Sequence, residues 1–248
     1  MDKRKFFWIF FFGLLLLFAG TVVTYTRSVL KSYPATPEAL EALQSSPTLQ
    51  VQPTAYGWVF LPQGPLRGGL AFYPGGLVEP EAYAPPLRKI AEGGYRVALL
   101  RVPFNLAVTA QGKAREAIAA APELRWAVGG HSLGGVVASN FAQSNPDAKA
   151  LVLWSSYPQN DLSGLDKPTL LLRGDRDGVV RQERLEENRA KFPKNTRFIT
   201  LPGLDHASFG AYGPQRGDTP ATVGKEAGWN EIAQKTLTFL NTTIGSAP

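Results

Sequence analysis

The stretch Ala127-Val128-Gly129-Gly130-His131-Ser132-Leu133-Gly134-Gly135 decides how the rest of the chain is read. An apolar run, residues 126–129, leads into a serine set among glycines and on into a helical stretch, residues 135–143. Gly130-His131-Ser132-Leu133-Gly134 is a GxSxG pattern. Between a strand and a helix, that pattern predicts a nucleophile elbow. The turn is too sharp for anything but small residues two places either side of the serine, and Gly130 and Gly134 meet that need. The hydroxyl then stands at the carboxyl edge of a sheet over a helix N-terminus. The partial positive charge there favours the negative charge that grows during attack.

Outward from the elbow, short runs rich in Val, Leu and aromatics recur at 57–61, 69–73, 96–101, 150–154, 169–172 and 197–201. Amphipathic stretches lie between them near 81–92, 113–121, 182–191 and 225–240. Continuous apolar strands alternating with helices predict an α/β fold: a mostly parallel central sheet with helices on both faces.

An attacking serine needs a base, and the base needs an orienting carboxylate. His131 adjoins Ser132 inside the elbow and is poorly placed to aim its ring at that hydroxyl. His206 follows the last predicted strand, and it is the one other histidine in the sequence. It is therefore the candidate base. After the strand at 169–172 comes Arg173-Gly174-Asp175-Arg176-Asp177-Gly178-Val179. Asp177 is the favoured acid. Asp175 is the alternative, or else caps the turn or pairs with Arg173 or Arg176. Asp205 is too close to His206 in sequence to align with it. The order Ser132, Asp177, His206 is that of α/β-hydrolase triads.

An oxyanion hole requires two backbone N–H groups. Leu133, after the nucleophile, supplies one. The loop Tyr73-Pro74-Gly75-Gly76-Leu77 supplies the other, with Gly76 first choice and Leu77 second. Phe104, Trp154, Tyr157 and Phe209 are candidates to line an acyl pocket, or are ordinary core aromatics. The long Gly- and Pro-rich loop 203–221 directly follows the base and is expected to border the cleft.

Composition limits the alternatives. Hydrophobic residues make up 44% and charged residues 19% of 248, which is globular usage. The absence of cysteine excludes disulfides, a thiolate nucleophile and cysteine-ligated metal, and two histidines exclude a multi-histidine cluster. No metal or cofactor is expected. Of the net charge of +6, +4 lies in residues 1–31, where Lys3, Arg4, Lys5, Arg27 and Lys31 oppose Asp2. The nearly neutral remainder does not suit a nucleic-acid binder. Residues 6–26 carry no charge. A helix of about 20 apolar residues crosses a bilayer, and the preceding Lys3, Arg4 and Lys5 place the N-terminus in the cytoplasm. This predicts a transmembrane signal anchor over 1–31 with the rest of the chain on the extracytoplasmic side. A cleaved signal peptide, giving a secreted protein, is the other reading. Residues 32–53, with Pro34, Pro37, Pro47 and Pro53, read as a tether. It would hold one short helix, Thr36 at its N-cap and Leu40 and Leu43 docked on the domain at 54–248.

Taken together the chain resembles the α/β-hydrolase superfamily, and within it the small lidless fold-5 branch related to dienelactone hydrolase. The resemblance is carried by Phe72-Tyr73-Pro74-Gly75-Gly76-Leu77-Val78, by Arg101-Val102-Pro103-Phe104-Asn105-Leu106-Ala107, by the elbow, and by Leu204-Asp205-His206-Ala207-Ser208-Phe209-Gly210. It implies hydrolase chemistry. With Ser132 where dienelactone hydrolase has cysteine, it implies a serine esterase acting on a small-molecule ester. A thioesterase or peptidase with the same triad, and a membrane-tethered binding protein with an idle hydrolase fold, are the rivals. Residues 155–168 are too few for a sizeable lid, so the site should be open.

Overall fold

A computed structural model describes residues 11–13, 20–21 and 32–245. The chain divides into two compact units, Met1–Ser32 and Tyr33–Pro248. In the first, residues 11–13 and 20–21 are helical. Among the described residues no helix is long and apolar enough to cross a membrane. The expected anchor over 1–31, with its uncharged run at 6–26, lies largely outside them.

The second unit is built on eight strands: β1 (Leu49–Thr54), β2 (Gly57–Pro62), β3 (Gly68–Tyr73), β4 (Tyr95–Leu100), β5 (Trp126–His131), β6 (Ala148–Trp154), β7 (Thr169–Gly174) and β8 (Thr196–Leu201). They form one sheet in the order β1-β2-β4-β3-β5-β6-β7-β8. β1 and β2 run antiparallel to each other, and β2 antiparallel to β4. From β4 to β8 every pairing is parallel. Six helices cover it: α1 (Pro37–Glu41), α2 (Ala84–Glu92), α3 (Ala114–Ala119), α4 (Leu133–Ser144), α5 (Gln182–Glu187) and α6 (Lys225–Thr243).

Strand periodicity explains the two cores. In β3, Leu70 and Phe72 point to the face covered by α2 and α6, where they join Leu87, Ile90, Ile232 and Phe239. Ala71 and Tyr73 point to the other face, with Val137 and Phe141 of α4. All six residues of β3, β5 and β7 are buried, as a strand covered on both faces requires.

Of the residues expected to form a tether, 33–53 fall within this unit. β1 pairs with β2 along its whole length. Buried Leu49 and Val51 alternate there with exposed Gln50 and Gln52, the mark of a half-covered edge strand. Pro53 hides that pattern in the sequence, yet on an edge strand its missing N–H costs little. The short helix starts at Pro37 behind Thr36, although the Thr36 side chain makes no capping bond. Leu43 is buried against the domain, whereas Leu40 is 51% exposed and docks nothing.

The chain leaves β3 for β4 on one side and reaches β5 on the other. The carboxyl ends of β3 and β5 therefore flank a topological switch point, where α/β sheets bind ligands. Leu77, Phe104, Asn105, Ser132 and Ser155 all have positive φ, between 42° and 60°. They fall in the segments that follow β3, β4, β5 and β6. Backbone strain in a non-glycine residue is costly and gathers where function requires it.

Candidate active site

Ser132 is the single residue between β5 and α4, with φ 50° and ψ −121°. Its N–H donates to Trp154 O at 3.0 Å, and Ser156 Oγ donates to its carbonyl at 2.7 Å, so the end of β6 holds the elbow from behind. A Cβ on Gly134 would stand 2.3 Å from Pro74 O, and one on Gly130 2.4 Å from Gly134 O. Neither backbone has room to yield, which is the physical reason for the glycine spacing.

His206 lies just beyond β8 and is fully buried. Its Nδ1 stands 3.0 Å from Asp177 Oδ2. The other carboxylate oxygen, Oδ1, accepts the N–H groups of Val179 at 3.0 Å and Val180 at 2.7 Å. A carboxylate facing Nδ1 puts the ring proton there and leaves Nε2 as the basic nitrogen. That Nε2 is buried with no hydrogen-bond partner. No hydrogen bond joins it to Ser132 Oγ, a pair that is often loose until substrate closes it. The His206 ring lies 4.4 Å, centroid to centroid, from the ring of His131, the residue before the nucleophile. The structure thus brings Ser132, Asp177 and His206 to one rim of the sheet. Asp175 is elsewhere: its Oδ1 accepts Gly203 N–H at 2.7 Å and caps that turn. Asp205 ties its own loop together, accepting Ser208 N–H at 2.8 Å and Ala221 N–H at 3.1 Å.

In the loop after β3, Gly75 N–H donates to Tyr83 Oη at 3.0 Å and Leu77 N–H to Asn105 O at 2.7 Å. The second-choice oxyanion donor, Leu77, is therefore engaged. Gly76 lies between them against Leu133: a Cβ built on it would be 3.1 Å from Leu133 Cδ2. Leu133 is the first residue of α4, so its N–H has no acceptor within the helix.

Of the four candidate pocket aromatics, two are corrected. Trp154 and Phe209 are 0% exposed. They form a wall behind the histidines, with Trp154 4.5 Å from Phe72 and Phe209 stacked 5.6 Å from His131. Their apolar bulk is needed in the core, and no surface of theirs reaches a cleft. Tyr157 is half-buried against the core under α4. Phe104 is 75% exposed, on the loop whose Asn105 carbonyl holds Leu77. Residues 155–168 contain no helix.

One positioning group was not read from the sequence. Asp218 Oδ1 accepts Gly178 N–H and its Oδ2 accepts Ala207 N–H, both at 2.9 Å. These are the residues immediately after Asp177 and His206, so one carboxylate stitches the acid loop to the base loop. Asp218 sits in a Gly-Asp-Thr turn forty residues beyond the acid loop, and no spacing rule connects the two.

A serine at a strand–helix elbow, with a carboxylate-oriented histidine after the last strand of a mostly parallel sheet, defines an α/β hydrolase by architecture. The sequence profile of the Alpha/beta hydrolase family matches residues 69–230, more than half of the chain, and the protein belongs to that family. No curated protein matches it.

Proposed function

We propose that the protein is a serine hydrolase of carboxylic esters. The observation that carries this reading is the His206–Asp177 pair, held beside the elbow that presents Ser132. In the first step Nε2 of His206 takes the Ser132 proton as Oγ attacks the ester carbonyl. The N–H groups of Leu133 and Gly76 receive the oxyanion, and Asp177 steadies the imidazolium. The imidazolium then protonates the departing alcohol. Water, deprotonated by the same nitrogen, releases the acid from the acyl-enzyme.

Substrate is a small or accessible ester: residues 155–168 hold no helix that could serve as a lid, and Phe104 offers exposed apolar surface on the loop that binds Leu77. The uncharged run at 6–26 behind Lys3, Arg4 and Lys5 supports a form tethered to the membrane with the hydrolase outside the cytoplasm. Resistance to carbonate extraction, with protease access from outside, tests the tether.

The test of the chemistry is turnover of p-nitrophenyl acetate and butyrate, with fluorophosphonate labelling, by wild type and Ser132→Ala. Wild type is expected to label and turn over, and Ser132→Ala to do neither. Equal rates for the two proteins refute the proposal.

A further inference from the structure

We propose that Tyr83 is a positioning residue for this site, its one hydroxyl bolting the oxyanion loop to the nucleophile elbow. Tyr83 ends the 3₁₀ turn Pro80–Tyr83 that leads into α2. Its ring is fully buried against Phe72, at 5.6 Å, and Tyr212, at 6.4 Å. Its oxygen has two neighbours: Gly75 N–H at 3.0 Å and His131 Nδ1 at 2.8 Å.

A phenol has one proton to give. An amide N–H only donates, so the Tyr83 oxygen accepts from Gly75 and keeps its own proton for Nδ1, the direction we assign to that bond. Gly75 precedes Gly76, and His131 precedes Ser132. The hydroxyl is therefore one residue away from both the oxyanion donor and the attacking serine. The fit is close: a Cβ on Gly75 would stand 2.6 Å from Tyr83 Oη and 2.8 Å from His131 Nδ1.

Both ends of the bolt are held in the required state. Burial raises the Tyr83 pKa, so the phenol keeps its proton. Burial first, and then the neighbouring His206, hold His131 well below its usual pKa, so the ring is neutral and has one nitrogen free to accept. A neutral His131 also adds no charge against the imidazolium that forms 4.4 Å away on His206. Tyr83 does not reach the reacting atoms; it acts through the two loops it joins.

This inference rests on the hydrolase reading for its kinetic consequence, and the experiment separates the two. Tyr83→Phe, His131→Asn, His131→Leu and Tyr83→Phe/His131→Leu are compared with wild type and Ser132→Ala in the full chain, with p-nitrophenyl acetate. Displacing an oxyanion donor or nucleophile by a fraction of an ångström costs roughly 10- to 100-fold. Tyr83→Phe and His131→Leu are expected to lower kcat by that factor with KM within about threefold. His131→Asn keeps an acceptor near the Nδ1 position and should turn over at least about tenfold faster than His131→Leu. The double variant should be no slower than the worse single one, since both remove the same bond.

Amide exchange supplies a readout that does not need turnover. Peptides covering 74–78 and 131–133 should exchange faster in Tyr83→Phe while the rest of the domain is unchanged. The bolt is overturned if exchange at 74–78 is unaltered. It is equally overturned if Tyr83→Phe matches wild-type kcat while Ser132→Ala is inactive, or if His131→Asn and His131→Leu are equal. If wild type shows no Ser132-dependent turnover, the hydrolase reading falls and exchange alone decides the bolt. If Tyr83→Phe fails to fold, the two His131 variants test the same bond from its other end.

Discussion

Replacing Asp177 by Asn changes one atom group, yet the hydrogen bonds around it dictate a large kinetic loss. An amide has one accepting oxygen and one donating nitrogen. In the native protein one carboxylate oxygen accepts two backbone N–H groups, from Val179 and Val180, and the other faces His206 Nδ1. The amide oxygen cannot serve both sides. Turned toward His206, it would strand the buried Val180 N–H and the part-buried Val179 N–H against an NH2 group, at up to about 1–3 kcal/mol each. The oxygen therefore stays with the backbone and the NH2 faces Nδ1. That forces the ring proton onto Nε2, the nitrogen that must accept from Ser132. The preference of about 2–6 kcal/mol corresponds to a loss between about 30-fold and about 10⁴-fold, at 1.4 kcal/mol per tenfold. Losing the carboxylate charge opposite the imidazolium pushes the result toward the upper end, where triad variants of this kind fall. The assay is kcat/KM for p-nitrophenyl acetate at pH 8, with thermal melts to establish folding. Asp175→Asn serves as the control, since it weakens only the cap on Gly203 and should stay within about fivefold of wild type. The reasoning is refuted if folded Asp177→Asn lies within tenfold of wild type, or if Asp175→Asn is the more damaging change.

Gly134→Ala is expected to destabilise the domain by about 1–3 kcal/mol or more and to abolish fluorophosphonate labelling, because its Cβ would meet the carbonyl oxygens of Pro74 and Tyr73 at 2.3 and 2.4 Å. Gly76→Ala meets only the end of the Leu133 side chain and should melt within a few degrees of wild type; circular dichroism melts check both. Trp154→Ala should cost about 3–5 kcal/mol, lowering Tm by roughly 6–20 °C, while leaving the ratio of octanoate to acetate hydrolysis unchanged. A shift in that ratio would return Trp154 to the substrate pocket. His131 is neutral when folded but titrates near pH 6.5 when unfolded. Below about pH 6.5 the unfolded chain gains a proton that the folded one lacks. His131 therefore lowers stability as pH falls and restores it as pH rises, by up to about 1.4 kcal/mol per pH unit. Urea melts between pH 7.5 and 5 should show a shallower slope in His131→Asn than in wild type.

What the sequence disclosed and what it hid follow from the range of the forces involved. The seven strands expected from apolar runs are all in the sheet, because a strand buried on both faces carries its signal in its own side chains. The elbow was legible because its glycines stand at fixed spacing around Ser132, although Gly134 is dictated by the distant carbonyls of Tyr73 and Pro74 and only Gly130 by its near neighbours. β1 was missed because it is covered on one face only and carries Pro53. The Gly-x-x-Asp-x-x-Val spacing pointed to Asp177, the carboxylate that faces His206, whereas nothing local in the sequence tells pocket aromatics from core ones. Trp154 and Phe209 have the composition of both a core and a cleft, and only packing separates the two. Asp218 and Tyr83 were invisible as participants because each joins two segments that are far apart in sequence: those of Gly178 and Ala207 for the first, of Gly75 and His131 for the second. The expected membrane anchor rests on Lys3, Arg4, Lys5 and the uncharged run 6–26, most of which lie outside the described residues.

The five left-handed residues at the sheet's carboxyl edge bear on how this protein can change. A non-glycine residue in that conformation costs about 1–2 kcal/mol, so the set together approaches the whole net stability of an ordinary domain. A selection for heat tolerance alone would find its easiest gains there, as glycine at 77, 104 or 155 relaxes the main chain. Those same gains would loosen the loops beside Ser132, where the strain cannot be removed without removing the serine proposed as nucleophile. Hardier descendants of this chain would therefore be expected to arise as slower ones.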